Sequence, residues 1–329
     1  MRHRSLPPSL AQVPAAERHA ALLSLGVSVV LVTVKFVAYF LTGSSAIFSD
    51  ALETIVNVVA SLLALYALAV AHQPADLDHP YGHGKIEFLS AGAEGSMIVL
   101  AGVVILVHAG HALLHPSLTV EQLGTGLVLI GLALPVNALT GLHLLRTGRL
   151  QGSATLSADG RHLLTDAAVS ATVVLSVLAV RLTRQGWLDP LAALLVGVYV
   201  IWTGKRVVRR STAGLMDEQD ERDQTLLRGI LNEHLGAHGR QPRICSYHKL
   251  RHRHNGRYHW VDFHLLLPAR LDLAAGHSIA SALEHEIETA LGEADATAHL
   301  EPCSGSGCVT CSQQNIEIPQ PPPSAPAAG

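Results

Sequence analysis

Six long apolar stretches occupy the first two thirds of the chain, and short polar connections separate them. They cover about residues 20–42, 45–71, 88–114, 123–145, 155–182 and 187–204. A bilayer core about 30 Å thick needs roughly 20 apolar residues of helix, and each stretch comes close to or exceeds that length. From about residue 212 the pattern changes to charged and alternating positions. The pattern predicts an α-helical membrane protein with six transmembrane helices and a small α+β C-terminal domain.

The C-terminal domain has the periodicity of a helix, two strands, a second helix and a last strand. These are predicted at about 218–235, 244–252, 258–267, 277–292 and 295–301. The chain then divides into an N-terminal segment, a membrane domain, the α+β domain and a tail rich in proline, which is expected to be disordered. Their ranges are 1–18, 19–211, 212–303 and 304–329.

The distribution of basic residues predicts which side of the membrane the termini face. Six spans place both termini on one side, and most lysines and arginines near the spans fall on that side, whereas only Arg181 and Arg184 fall opposite. The positive-inside rule therefore places both termini in the cytoplasm. Residues 1–18 show no cleavable signal sequence, so we expect the first span to stay in the membrane.

Composition points toward metal or proton handling. Only 15% of the residues are charged, 49% are apolar, and the net charge of −3 gives no basic field for nucleic acid. Twenty histidines are unusual in such a chain, and imidazole is both a common metal ligand and a group that titrates near neutral pH. Four cysteines are too few for a disulfide scaffold, which fits a reducing compartment.

Two predicted spans carry matching polar residues in the pattern D-x-x-[E/H]-x-x-x-[N/D]. The second span supplies Asp50, Glu53 and Asn57, and the fifth supplies Asp159, His162 and Asp166. Carboxylates at this depth are costly and usually face a partner or a water-filled path. Positions i and i+4 share a helix face, so two opposed faces would offer a divalent ion four ligands: Glu53, Asn57, His162 and Asp166. The alternative is that each polar group only bonds a neighbouring helix.

The rise of 1.5 Å per residue places Asn57 and Asp166 near the middle of the membrane. Because the two helices run antiparallel, Asp50 would lie outward of the site and Asp159 inward of it, as successive metal contacts on the path. Recurrence of the pattern three spans apart also hints at an inverted repeat. Lys35 stands alone in the first span and is expected to extend toward the membrane surface.

A loop after the second span combines two histidines with an aspartate. Asp76, His79 and His83 are three and four residues apart, and Gly82 and Gly84 permit the tight backbone that one shared metal would require. A solvated polar loop is the alternative.

Six residues of the C-terminal domain could form an imidazole and carboxylate cluster, if their elements adjoin: His248, Asp262, His264, His277, His299 and Glu301. Strand alternation places Asp262 with His264 on one face, and His299 with Glu301 on another shared face. Four further histidines are expected to be plain surface residues: His252, His254, His259 and His285. In the tail, Cys303, Cys308 and Cys311 could bind zinc with His299.

Together these motifs resemble the cation diffusion facilitator family of divalent-metal exporters. The likeness covers about 20–303 and includes the polar pair of spans, the segments 73–79 and 82–85, Leu215-Met216-Asp217, and the stretch 299–303. The resemblance implies a homodimer in the bacterial inner membrane that exchanges cytoplasmic metal, most readily zinc, for external protons. It also implies a metallochaperone-like cytoplasmic domain, with metal as substrate and structural ion and with no catalytic cofactor.

The resemblance further assigns roles to residues. Glu53, Asn57, His162 and Asp166 match the family's transport site, and Asp76, His79 and His83 match its loop site. His248, His264, His277, His299 and Glu301 match the sites at the cytoplasmic dimer interface, and Lys85 with Asp217 matches the charge pair that interlocks the dimer. The family usually has Asp or His at the position of Glu53 and Asp at the position of Asn57, so the preferred metal is open: cadmium, cobalt, iron and manganese are alternatives to zinc.

Two other functions compete with transport. An intramembrane metal-dependent hydrolase would need three ligands, an activated water and a general base, and Glu53 could act as that base. However, the chain has no H-E-x-x-H motif. A membrane-anchored metal sensor would need the helices only as an anchor, and such an anchor has no use for Glu53, His162 or Asp166.

Overall fold

The fold was analysed in a computed structural model that describes residues 10–42, 45–114, 123–183, 185, 187–236 and 238–303. The chain divides into two units, 1–215 and 216–329. The boundary lies a few residues after the predicted one at 211/212, because the last long helix continues through its basic end to Leu215.

Six long helices form the part of the first unit that the structure describes. They are α1 Ala15–Thr42, α2 Ser45–Ala71, α3 Lys85–Leu114, α4 Leu123–Gln151, α5 Ala154–Thr183 and α6 Leu188–Leu215. Each has 27 to 30 residues and is therefore about 40 Å long or more. The six predicted spans are confirmed as helices, and several extend beyond the apolar stretch because hydropathy detects the membrane core rather than the helix ends.

Three segments within the described helices are long and apolar enough to cross a membrane by themselves: Ala15–Val37, Lys85–His111 and Pro190–Leu215. A shorter apolar segment, Asn57–Ala71, lies in α2. Four ionisable residues interrupt the apolar sequence of α5: Asp159, Arg161, His162 and Asp166.

Glycines allow the helices to pack closely in two pairs. A Cβ on Gly160 of α5 would lie 2.6 Å from the backbone nitrogen of Leu145 in α4, and one on Gly141 would lie 2.9 Å from the Gly160 carbonyl oxygen. Gly204 of α6 approaches α3 in the same way, with the Gly95 carbonyl 2.9 Å from the position of a Cβ. Small residues at such contacts are typical of membrane helices, where packing and not water exclusion drives association.

A buried carboxylate fixes the start of α5 against α3. Glu87 of α3 accepts hydrogen bonds from the Ser153 hydroxyl and, at 3.4 Å, from the Thr155 amide. Ser153 in turn accepts from the Leu156 amide at 3.3 Å, as an N-cap residue does. These contacts set the position of α5, which carries half of the predicted membrane site.

The second unit contains helices α7 Glu221–Glu233 and α8 Leu273–Leu291 and strands β1 Ser246–Asn255, β2 Tyr258–Pro268 and β3 Ala294–Cys303. The strands form a sheet in the order β1-β2-β3, with β1 antiparallel and β3 parallel to β2. The predicted order of elements is confirmed. The first helix is shorter than predicted because Asp220 caps it, accepting from the Arg222 and Asp223 amides.

One face of the sheet carries the core of this unit. Val261, Phe263 and Leu265 of β2 are buried against Ile279 and Leu283 of α8, and α7 adds Leu227 and Leu231 to the same core. The alternate residues of β2, including Asp262 and His264, therefore point to the other face.

A bulge in β1 changes which residues reach each face. His248 pairs with His264, but Arg251 pairs with Asp262, so one extra residue lies between them, and Lys249 there has a positive φ of 50°. Beyond the bulge, His252 pairs with Val261 and lies on the core face. Strict alternation from His248 would have placed His252 on the other face.

Candidate metal sites

The membrane domain brings together three of the four predicted ligands, from α2 and α5. The Asn57 amide donates from Nδ2 to Oδ2 of Asp166 at 2.7 Å, and its Oδ1 lies 3.0 Å from Nε2 of His162. The same His162 nitrogen is 3.9 Å from Oδ1 of Asp166. Asn57 and His162 are both buried, and each residue is 7% exposed. Asn57 thus connects the two ligands supplied by α5.

His162 faces the other two residues through Nε2, the nitrogen that lies 3.0 Å from Asn57 Oδ1 and 3.9 Å from Asp166 Oδ1. An ion shared by the three residues would therefore take Nε2 as its ligand, with the proton of the neutral imidazole on Nδ1. Among the described residues, Nδ1 is buried and has no hydrogen-bond partner. Glu53 and Asp50 lie on α2, but their side chains fall outside the described part of the chain.

Asp159 lies about one turn from His162 toward the start of α5 and is almost fully buried. Its Oδ2 accepts from the Ser24 hydroxyl at 2.8 Å, and Ser24 also contacts Ser61 at 3.0 Å. The contact connects α1 and α2 to the carboxylate that sequence reasoning placed inward of the site.

Sequence reasoning missed Glu94. This residue of α3 is fully buried and lies within electrostatic range of Asp159. Ser90, one turn earlier, directs its hydroxyl toward Glu94 at 3.5 Å. A single ionisable residue in an apolar span is a functional signal by itself, and applying that rule to the third span would have found it.

The prediction for Lys35 was wrong. Its ammonium donates to the Thr54 hydroxyl at 2.7 Å, and the residue is buried between α1 and α2. A hydrogen-bond acceptor on the neighbouring helix makes burial cheaper than extension to the membrane surface.

The loop between α2 and α3 holds the three predicted ligands within 4.8 Å of one another. Asp76 Oδ1 accepts from the His79 amide at 2.7 Å, and Gly82, at φ 80°, permits the turn that returns His83 to the group. The imidazole nitrogens of His79 and His83 lie 3.3 Å and 3.5 Å from the oxygens of Asp76. The bond from the His79 amide lowers the pKa of Asp76, so the carboxylate is ionised when a cation arrives.

The C-terminal domain gathers a second ligand group on the sheet face opposite α8. Glu301 lies 2.6 Å from Nδ1 of His264 and 3.3 Å from Nε2 of His248. The His299 ring pairs with His264, at 4.7 Å between centroids. We call His248, His264, His299 and Glu301 the open-face cluster. The hydrogen bond from His264 lowers the pKa of Glu301, which favours the charged carboxylate.

Two details of the predicted cluster differ from the structure. His264 and His299 are register partners in the parallel pair, so the residues expected on two separate faces share one side of the sheet. His277 lies exposed on α8, which packs on the opposite side, and it is not part of the cluster within this chain. Asp262 shares the cluster's side of the sheet but is opposite Arg251 in the strand register.

Three of the four histidines expected at the surface are not plain surface residues. His252 is buried at 4% exposure, and His259 lies 3.2 Å from the carboxylate of Asp223. The ring of His254 pairs with that of His259. The bulge in β1 is the reason for His252, because it moves that side chain to the core face. His285 is exposed on α8, as expected.

The remaining predicted positions are described in part. Lys85 begins α3, and Asp217 lies 3.8 Å from Arg253 in its own unit. Their pairing across a dimer stays a prediction. Cys303 ends β3, whereas Cys308 and Cys311 lie outside the described residues.

Comparison with known proteins agrees with this architecture. Residues 21–216 match the family described as "Cation efflux transmembrane domain", and residues 233–303 match "Cation efflux protein, cytoplasmic domain". The chain is 36% identical over 285 residues to "Uncharacterized transporter sll1263" of Synechocystis sp., covering 87% of this chain and 90% of that protein. It is 30% identical over 286 residues to "Cation-efflux pump FieF" of Shewanella oneidensis, covering 86% and 93%.

The transmembrane family match spans more than half of the chain, and the relatives align along nearly their whole length. Proteins of this family are transporters rather than enzymes, which rules out the hydrolase alternative. The chain is a membrane protein of the cation efflux, or cation diffusion facilitator, family of metal transporters.

Proposed function

We propose that this protein exports divalent metal ions from the cytoplasm, zinc most readily, and takes up protons in exchange. The observation that carries the proposal is the group of Asn57, His162 and Asp166 between α2 and α5, in which Asn57 and His162 are buried and Asp166 is partly buried. Imidazole, amide and carboxylate ligands at one point suit zinc, cobalt or cadmium, and the two oxygen ligands keep manganese and ferrous iron as slower substrates.

Proton exchange follows from competition for His162. A neutral imidazole binds a metal ion and an imidazolium does not, so metal arriving from the cytoplasm releases a proton and protons arriving from outside release metal. With Glu53 and Asp166 ionised and His162 neutral, the four ligands carry a charge of −2 and balance one divalent ion. The transport cycle needs no chemistry on the metal.

The path toward the cytoplasm would pass Asp159, and the path outward would pass Asp50. The cytoplasmic part of this path is supported by Asp159, because it is a buried carboxylate one turn from His162 and a hydrogen bond from Ser24 fixes its position. Rocking of one group of helices against another would open the site alternately to each side. The distribution of basic residues supports cytoplasmic termini, and the bacterial relatives support the bacterial inner membrane.

The loop group and the open-face cluster are proposed as additional metal sites on the cytoplasmic side. The ligand atoms of Asp76, His79 and His83 in the loop lie within 4.8 Å of one another, and so do those of His248, His264 and Glu301 in the open-face cluster. We further propose that the protein works as a homodimer and that metal in the open-face cluster strengthens it, since binding energy at a shared site becomes association energy. Lys85 and Asp217 would form a charge pair in that dimer.

Flux in proteoliposomes tests the proposal directly. Vesicles loaded with a metal-sensitive dye and given a pH gradient should accumulate zinc, and Asp166→Ala and His162→Ala should abolish uptake. His143→Ala is the matched control because His143 is an exposed histidine on α4. Retention of more than about half of the parent flux by Asp166→Ala would refute the site, and flux independent of the pH gradient would refute proton exchange.

A further inference from the structure

A separate group of histidines lies at the end of the sheet where the β1–β2 hairpin meets the start of α7. His254 and His259 are direct register partners across the hairpin, and their ring centroids are 6.1 Å apart. Asp223, in the first turn of α7, places Oδ2 3.2 Å from Nδ1 of His259. We call His254, His259 and Asp223 the hairpin cluster. It combines two imidazoles with one carboxylate.

The hairpin cluster is distinct from the open-face cluster. His259 and His264 are five residues apart on β2, which corresponds to about 17 Å along a strand. They also lie on opposite faces of the sheet, because five is an odd number of residues. One ion cannot contact both groups.

The contact between His259 and Asp223 has the spacing of two ligands of one ion. Among the described residues, Nδ1 of His259 is buried and makes no hydrogen bond, although Oδ2 of Asp223 is only 3.2 Å away. The two atoms are therefore close without the alignment that a hydrogen bond requires. Bonds of about 2.0 to 2.1 Å to a tetrahedral zinc ion place two ligand atoms roughly 3.3 Å apart.

The orientation of His254 also fits a metal ligand. Its Nδ1 donates a hydrogen bond to the Gly256 carbonyl oxygen at 3.2 Å, so the lone pair of the neutral ring is on Nε2. Histidines that bind metals usually donate their second N–H to such a carbonyl. The three ligand atoms of the hairpin cluster do not all lie within 4.8 Å of one another, so binding requires the half-buried ring of His254 to move toward His259 and Asp223.

His252 holds the helix in place beside the hairpin. Its Nε2 accepts from the amide of Asp220, the residue that caps α7, at 3.0 Å. This bond connects β1 to the first turn of α7, in which Asp223 lies. Burial lowers the pKa of both His252 and His259, so both rings are neutral at pH 7 and His259 does not need to lose a proton before it binds a cation.

We propose that His254, His259 and Asp223 bind one divalent metal ion of the zinc class, with water completing the coordination. Two imidazoles and a carboxylate suit zinc, cobalt and nickel, and three protein ligands leave a fourth position open. An ion at this place joins α7 to the hairpin, so metal in the cytoplasm stiffens the start of this domain. The site acts independently of the transport site.

Metal stoichiometry of the purified full-length protein in detergent tests the proposal. After equilibrium dialysis against zinc, metal per protomer is measured for the parent, His259→Gln, His254→Gln and the control His285→Gln. His285 is an exposed histidine of α8. Its variant therefore shows how much zinc is lost when a histidine outside the cluster is replaced by glutamine. We expect each hairpin variant to lose about one zinc ion per protomer and the control to lose none.

Hydrogen exchange of the same samples gives a local measurement. Zinc should slow exchange in residues 221–226 and 252–260 of the parent and of His285→Gln, but not of the hairpin variants. His254→Gln keeps the proposal testable if His259→Gln unfolds, because the contact between His259 and Asp223 remains in the His254 variant. Parent stoichiometry in His254→Gln, or zinc protection that persists in it, would overturn the site, and unchanged zinc flux in that variant would leave the proposed transport function standing.

Discussion

Replacement of Asn57 by aspartate gives the most informative perturbation of the membrane site. The Asn57 amide nitrogen is 2.7 Å from Oδ2 of Asp166, and the new carboxylate would place an oxygen at that position. Two carboxylates so close cannot both be ionised in a buried site, so the pair keeps one proton until a metal ion displaces it. Metal binding should therefore release one more proton from the variant than from the parent.

The magnitude follows from counting the protons that compete with the metal. In the parent, binding at this site displaces one proton from His162 at low pH, so its apparent dissociation constant rises about tenfold for each pH unit lost. In Asn57→Asp two protons must leave before the metal binds. The apparent dissociation constant of the metal should therefore rise about a hundredfold for each pH unit lost over the same range. Transport should persist with a shifted pH optimum and an altered ranking of zinc, cadmium, cobalt and manganese.

Proton release on metal binding measures this directly. Full-length protein in weakly buffered detergent solution is titrated with zinc while a pH indicator records the protons released. Other sites release the same number in parent and variant, so the difference isolates the membrane site. Asn137→Asp is the matched control, because Asn137 is a buried asparagine of α4 outside the group. Equal proton release by Asn57→Asp and the parent, with equal pH profiles of flux, would refute the place of Asn57 among the ligands.

Three further predictions concern packing, pH and the loop. Gly160→Ala should lower the thermal stability of the membrane domain, because a Cβ would meet the α4 backbone at 2.6 Å, whereas Gly26→Ala should not, since nothing lies within 4 Å of its Cβ; equal melting temperatures in detergent would contradict this. Burial lowers the pKa of His252, so the unfolded chain binds a proton that the folded domain does not. The unfolding free energy of the C-terminal domain should therefore fall as pH drops below about 6.5, and exchange protection of 246–268 that is constant from pH 7.5 to 5.5 would argue against it. Asp76→Asn should weaken zinc binding in the loop by tenfold or more, since the carboxylate faces both imidazoles, while Asp78→Asn, an exposed neighbour, should leave it unchanged in zinc titrations.

Much of the architecture was predictable from the sequence because its signals are local. Apolar stretches about 20 residues long can only be buried in a membrane or a large core, and strand alternation in the C-terminal domain identified its elements in the correct order. The spacing of i and i+4 placed His162 and Asp166 on one helix face without knowledge of any contact. The loop group was also local, because a single turn brings Asp76, His79 and His83 together.

Contacts between elements depended on the tertiary structure. One extra residue in β1 moves His252 to the core face. The local sequence around Lys249 and Leu250 does not predict this bulge. His264 joined Glu301 only because β3 pairs with β2 in a particular register, and α8 placed His277 on the other side of the sheet. Lys35 donates to Thr54 on the neighbouring helix α2, and Glu94 of α3 interacts electrostatically with Asp159 of α5, which is far away in sequence.

The sequence by itself determined the membrane helices, the separate α+β domain and the chemistry of the ligands, because hydrophobic periodicity and side-chain type belong to single segments. The tertiary structure decided which of those ligands meet, because metal and proton sites need atoms within a few ångströms, and such distances depend on register, bulges and helix packing. The hairpin cluster illustrates this: His254 and His259 looked like ordinary surface histidines until the hairpin and α7 placed them beside Asp223.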